Sequence, residues 1–257
     1  MNLLTKTCAW AACWWAFGPA LAQANQPPAE PLLRIEAGMH TGTISAVDSD
    51  AAGRVVATAS PDKTVRVWEP TTGRLLQVLR PPLGAGNEGA LYAVAVSPDG
   101  RQVAAAGWTG FDWNRRSQVY VFDRVSGQLT SRLEGFLPAT VVHLAFNPEG
   151  TQIAATLTGR NGVRVWNWRQ GGVPLVDSAY GDSSFGASWA PGGQLVTASY
   201  DGKLRLYRVE AARLHKLAEV ASPGGARPHR VAFSPDGRSV AVGHADTARV
   251  AVLDGAT

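Results

Sequence analysis

"DKTVRVWEPTTG", residues 62–73, sets an Asp six residues before a Trp, an acid directly after it, and a Gly closing the next turn. Whether this stretch stands alone or recurs decides the fold, so internal periodicity comes before single elements. It recurs. "AVAVSPDGRQVAAAG" (93–107), "HLAFNPEGTQIAATL" (143–157) and "RVAFSPDGRSVAVGH" (230–244) are copies of one unit. "ASWAPGGQLVTASYDG" (187–202) is a fourth copy, and "SAVDSDAAGRVVATAS" (45–60) a fifth with an altered turn. Aligning the turn glycines Gly53, Gly100, Gly150, Gly192 and Gly237 gives spacings of 47, 50, 42 and 45 residues. Those spacings lie near the roughly 40–45 residues of a propeller blade.

Each copy continues into a second strand that ends in one hydrophobic slot. The strands read "TVRVWE", "QVYVFD", "GVRVWN", "KLRLYR" and "RVAVLD", and the slot holds Trp68, Phe122, Trp166, Tyr207 and Leu253. From turn Gly to slot the distances are 15, 22, 16, 15 and 16 residues. Short β-branched runs bounded by Pro-Asp-Gly-like turns are the pattern of antiparallel hairpins. Runs such as "YAVAV" and "VAAAG" are apolar on both faces, and a small sheet of that kind must stack on neighbours. Radial stacking of four-stranded sheets achieves this and leaves only short exposed edges.

Composition agrees with a folded, all-β chain. Of 257 residues, 45% are hydrophobic and 17% charged, and 28 Gly with 16 Pro describe a backbone that turns often. The net charge is +4 and no basic block concentrates it, which argues against nucleic acid as a partner. The N-terminus reads as an export signal over residues 1–22. Lys6 supplies the positive end, "CAWAACWWAFG" the apolar stretch, and "ALA" at 20–22 the small residues for cleavage. Residues 23–31 read as a linker rich in proline. Both cysteines, Cys8 and Cys13, fall within the signal, so a mature chain has no disulfide, thiolate nucleophile or Cys-held metal. Exported, periplasmic or extracellular, is the expected location, with no membrane span after cleavage.

On these repeats the sequence resembles the WD-repeat β-propeller family, of a secreted bacterial type with degenerate repeats, over residues 32–257. The "SPDG" turns are also similar to those of the bacterial Tol-system propeller, but "DKTVRVWEPTTG" favours the WD-repeat family. The resemblance implies a structural lock in the first blade made by His40, Thr58, Asp62 and Trp68. The fourth repeat keeps Thr197 and Asp201 but has Tyr207 and no His; the fifth keeps only Asp246; the second and third carry Ala105 and Ala155 at the Ser/Thr position. The expected fold is thus an all-β propeller of four-stranded antiparallel blades. Five repeats are visible, at about 40–85, 86–135, 136–180, 181–222 and 223–257. A seven-bladed ring needs about 300 residues, whereas 257 less the 22-residue leader leaves 235. "RVAVLD" has no fourth strand after it, and "PLLRIEAG" (31–38) is the segment able to supply one. Five blades closed in this way, or a partial product of a longer protein, are the two readings; the shortfall favours the second.

Catalytic chemistry finds little support. "GAGNEG" (84–89) has dinucleotide-loop spacing but leads into a strand, not a helix. "GDSSFG" (181–186) has no helix after it and no base to activate its serines. His40, His143, His215, His229 and His244 form no metal-ligand pair, and Asp48 with Asp50 lack the Gly and Glu of a calcium loop. No cofactor or metal is expected. The second repeat instead inserts "WTGFDWNRRS" (108–117), whose Trp and Arg residues are the types enriched where proteins meet. Trp108, Phe111, Trp113, Arg115 and Arg116 are the candidate contacts, with Glu88 at the rim. The resemblance implies that this loop and "PPLGAGNEGA" (81–90) open on one face. A non-catalytic interaction scaffold for a protein or peptide follows. The alternatives are a sensor or docking part joined to a catalytic domain such as a caspase-like peptidase, and a propeller enzyme such as a lactone hydrolase.

Overall fold

Valine, isoleucine and alanine alternate with turn residues along the repeat region, and the described residues answer with strands apart from one short helical turn. The structure, a computed structural model, describes residues 36–110, 116–210 and 213–255. The signal, the linker and all but the end of "PLLRIEAG" lie outside the described residues, as do Phe111, Trp113 and Arg115.

The first sheet comprises β1 (Ala46–Ser49), β2 (Val56–Ser60), β3 (Thr64–Glu69) and β4 (Arg74–Leu79). The second comprises β5 (Ala90–Val96), β6 (Gln102–Trp108), β7 (Ser117–Asp123) and β8 (Leu129–Leu137). The third comprises β9 (Val141–Phe146), β10 (Gln152–Leu157), β11 (Val163–Asn167) and β12 (Leu175–Asp177). The fourth comprises β13 (Ser184–Trp189), β14 (Gln194–Ser199), β15 (Lys203–Glu210) and β16 (Arg213–Ala221). The fifth has three strands, β17 (Pro228–Phe233), β18 (Ser239–His244) and β19 (Val250–Asp254). Strands join in chain order within every sheet, and each pair is antiparallel. These are propeller blades.

Register explains the slot. Trp68, Phe122, Trp166, Tyr207 and Leu253 stand opposite Val56, Val103, Ile153, Leu195 and Val240. Every slot residue therefore occupies the same place in its blade. The turn before the second strand is also shared. Gly53, Gly100, Gly150 and Gly237 all adopt positive φ, where a side chain is disfavoured. Asp50, Ser97, Asn147 and Ser234 open the turn and accept a hydrogen bond from the amide five residues on. The fourth blade corrects the sequence alignment. Its positive-φ glycine is Gly193, not Gly192, because Ala190 N bonds to Gln194 O and shortens the turn by one residue.

Apolar faces pack blade against blade. Ala57, Ala59, Val65 and Val67 meet Val94, Val103 and Tyr120 between the first two blades. Ala104, Val121 and Leu133 meet Leu144, Ile153 and Trp166 between the next two. Two further clusters join the third blade to the fourth and the fourth to the fifth. Small alanines on β6 and β10 let these two-faced sheets approach closely. The two ends of the array differ from its interior. Val250 is 72% and Val252 69% exposed on the last blade, and Val47 is 66% exposed on the first. Among the described residues no further sheet covers either outer face, although the segment from Glu36 to His40 packs over Thr58 and Arg66 on the first.

Candidate interaction surface

The first blade is held by a chain of hydrogen bonds spanning loop, strand and turn. Trp68 Nε1–H donates to Thr58 Oγ1 (2.8 Å), Thr58 Oγ1 meets His40 Nε2 (2.8 Å), and His40 Nδ1 meets Asp62 (2.9 Å). One proton arrangement satisfies all three: Thr58 donates to Nε2, and Nδ1–H donates to the carboxylate. Asp62 also accepts Thr41 N and Thr64 Oγ1. Burial pushes the Asp62 carboxyl up, but the bonds from Thr64, His40 and Thr41 N together hold it below its usual value. Thr58→Val keeps the shape and strands both ring partners, so a loss of about 2 kcal/mol in urea unfolding is expected. An unchanged midpoint and slope would show that the chain carries no stability.

The fourth blade has its own version, which the sequence reading lacked. Tyr180 sits where His40 does, its hydroxyl 2.7 Å from Thr197 Oγ1 and 3.0 Å from the Tyr207 hydroxyl. Gly181 N donates to Asp201 as Thr41 N does to Asp62. In the fifth blade His244 comes from the strand instead, with Nε2 2.6 Å from Ser222 Oγ. Gly224 and Gly225 leave room for that ring, since any Cβ there would collide with His244 or Asp246.

The loops entering the blades and those between second and third strands share one face. Lys63 Nζ reaches Gly84 O, Thr158 N reaches Thr140 O, and Ala245 N reaches Arg227 O. The two unusual loops of the second blade touch on this face: Gly89 N donates to Trp108 O (2.8 Å), and Gly110 N donates to Glu88. Glu88 corrects the sequence expectation. It is 1% exposed and ties the loops together from within, so it forms no rim. Trp108 is 37% exposed, and Arg116 is exposed. A register shift between Leu91 and Ala93 lets Gly107 approach the β5 backbone so closely that no Cβ fits. The extra residue is Tyr92 on β5, at the end of the pair where the loop after Trp108 begins. Thr109 and Gln118 bond each other at its base, Gln118 N to Thr109 O and Thr109 Oγ1 to Gln118 O, both at 2.7 Å.

On blades four and five the face carries a second group. The Phe185 ring lies 4.5 Å from Tyr200 and 5.1 Å from His229, and the Arg227 guanidinium covers Tyr200 at 4.3 Å. Phe185, Tyr200 and His229 come from three separated segments, so no local motif announces them. "GAGNEG" lies in the loop before β5, and "GDSSFG" runs directly into β13; neither opens a helix.

The first strands of the five blades line an open axial cavity of about 550 Å³. Asp48, His143, Ser188 and Arg230 line it, with Val94, Phe146 and Trp189 among its apolar neighbours. His143 Nε2–H donates to Ala187 O (3.0 Å), and its Nδ1 faces Arg230 Nη1. Burial, then the Arg230 charge, pushes the His143 imidazole down to about 3, so it is neutral near pH 7. Asp48 accepts Val96 N at 2.8 Å, and burial raises its carboxyl. The sequence reading found no polar residues converging on this channel; the structure brings these four together. Among the described residues no group of three His, Cys, Asp or Glu is arranged to hold a metal.

All four lock residues, His40 to Trp68, fall within the stretch that comparison with known families picks out. Residues 35–69 match the WD domain, G-beta repeat. Bovine coronin-7 is 27% identical over 213 residues, 80% of this chain and 20% of that protein. Small ribosomal subunit protein RACK1y of rice, Oryza sativa subsp. japonica, is 26% identical over 181 residues, 66% of this chain and 49% of its own. The WD repeat-containing protein SL1-17 of Schistosoma mansoni is 28% identical over 179 residues, 69% and 54%. The chain thus spans only a fifth to about a half of these relatives, all of them eukaryotic. Repeats similar to WD repeats and the propeller-blade architecture stand together on these observations.

Proposed function

We propose that this chain is a non-catalytic scaffold whose loop face binds a protein or peptide. The observation that carries this reading is the interlocked pair of loops on the second blade. Buried Glu88 and the Thr109–Gln118 pair hold the loop base, while Trp108 and Arg116 reach solvent. A rigid base lowers the ordering cost of binding, and Trp and Arg are the residues that most often dominate interfaces. Similarity to WD-repeat proteins supports the same class of role by analogy of fold. The short span relative to coronin-7 also favours the docking-part reading, in which the blades serve a longer protein. A lactone-hydrolase-like enzyme has less support, because among the described residues lining the axial cavity Ser188 bonds Phe233 N and His143 bonds Ala187 O, and no nucleophile is hydrogen-bonded to a base. Export to the periplasm or beyond, as a secreted bacterial protein, belongs to this proposal and rests on residues 1–22.

The test starts with a partner recovered from native extract and identified by mass spectrometry. Trp108→Ala is then expected to weaken its binding by about 2 kcal/mol without moving the melting curve. Equal affinity for a variant that melts like the parent would exclude Trp108 from the interface.

A further inference from the structure

We propose that the axial cavity is a binding site for a small monocarboxylate with an apolar body, recognised by Arg230. The guanidinium projects from β17 into a cavity that all five first strands line. Its Nη1 is committed, donating to Phe185 O at 2.9 Å and facing His143 Nδ1. Nε and Nη2 have no hydrogen-bond partner among the described residues, and no described carboxylate forms an ion pair with Arg230. These two nitrogens share one edge of the planar guanidinium, the edge that holds a carboxylate through two parallel bonds. That edge faces the open cavity, where a carboxylate would supply the counter-charge that no described residue provides.

His143 fixes the fork. Its Nε2–H is held by Ala187 O and its neutral Nδ1 meets Nη1, so the guanidinium cannot swing freely. His143 is therefore a positioning residue. The other walls choose the rest of the ligand. Val94, Phe146 and Trp189 offer apolar surface, and the volume of about 550 Å³ suits a small molecule. Asp48 stands on the β1 wall of the same cavity, and Arg230 is the one Lys or Arg among its described lining residues, so a second anionic group on a ligand finds no cation. One carboxylate, at the Arg230 end, is the chemistry that fits.

Calorimetric titration of the full chain with octanoate, octanamide and inorganic phosphate tests this. Octanoate is expected to saturate one site and raise the melting temperature. Octanamide, with the same body and no charge, is expected to bind about tenfold more weakly or worse, and phosphate not to saturate. Arg230→Gln, if its melt shows a folded protein, should lose octanoate binding by a similar factor. If that variant does not fold, the octanoate–octanamide contrast on the unaltered protein decides. Equal binding of amide and acid, tighter binding of phosphate, no saturation by octanoate, or octanoate binding unchanged in folded Arg230→Gln would each overturn the proposal.

Discussion

Trp166→Ala is expected to lower the unfolding free energy by about 3–5 kcal/mol, the range for removing a large buried aromatic. The ring is 2% exposed and packs in the cluster that joins the second blade to the third, among Leu133, Leu144 and Ile153. Its Nε1–H donates to Glu134 O on β8 at 3.0 Å, so one side chain supplies apolar area and a directed bond across the blade junction. Trp166→Phe retains most of that area and frees one carbonyl, and a loss of about 1–2 kcal/mol is expected. The same slot on the first blade behaves differently. Trp68 is half-buried, because no sheet covers that face among the described residues, and its removal should cost less than that of Trp166. Urea unfolding of the three variants measures the order. A Trp68→Ala loss larger than that of Trp166→Ala would contradict the view that blade-on-blade burial supplies most of the stability.

A second large effect separates two arginines that look alike in sequence. Arg164 in "GVRVW" and Arg205 in "KLRLY" occupy equivalent strand positions and are 4% and 2% exposed. Arg205 pairs with Asp201 (2.7 Å) and Glu219 (3.1 Å), donates to Ala179 O, and lies 4.0 Å from the Tyr180 ring centre. Arg205→Met leaves half-buried Asp201 without its cation and the Ala179 carbonyl without its donor, and a loss of about 2–3 kcal/mol is expected. Among the described residues Arg164 donates to the carbonyls of Asn161 and Val163 alone, and its Nε is buried without a partner. Burial lowers the Arg164 pKa, with the Asp177 charge offsetting part of that effect, whereas the partners of Arg205 outweigh its burial and raise it. Arg164→Met therefore removes a poorly compensated charge, and its effect is expected to be within about 1 kcal/mol of zero or stabilising. Denaturation midpoints at constant slope decide; equal losses for both variants would contradict the distinction.

These contrasts show what the sequence carries and what it does not. Turn glycines and slot aromatics recur because each blade needs the same local hairpin chemistry, and their register came out of spacing alone. The one misplaced turn, Gly192 for Gly193, arose because a one-residue deletion leaves two adjacent glycines for one role. Tyr180 was missed since a tyrosine replaces the expected His, although its distance of 17 residues to Thr197 nearly repeats the 18 from His40 to Thr58. Glu88 was misplaced because charge suggests surface, whereas the neighbouring loop folds over it and donates Gly110 N. Asp48, His143 and Arg230 lie far apart in the chain, and only the stacking of blades around one axis brings them to a common cavity.

Under the proposed scaffold function a partner docks on one face of the array, the face with the long second-blade loop. A photo-crosslinking residue placed at Trp108, and in a second sample at Val125, tests it directly. Val125 is 71% exposed in the turn between β7 and β8, at the opposite end of the same blade. In native extract one discrete crosslinked protein is expected from position 108 and none from position 125. Crosslinks from position 125 alone, or the same adducts from both positions, would contradict it.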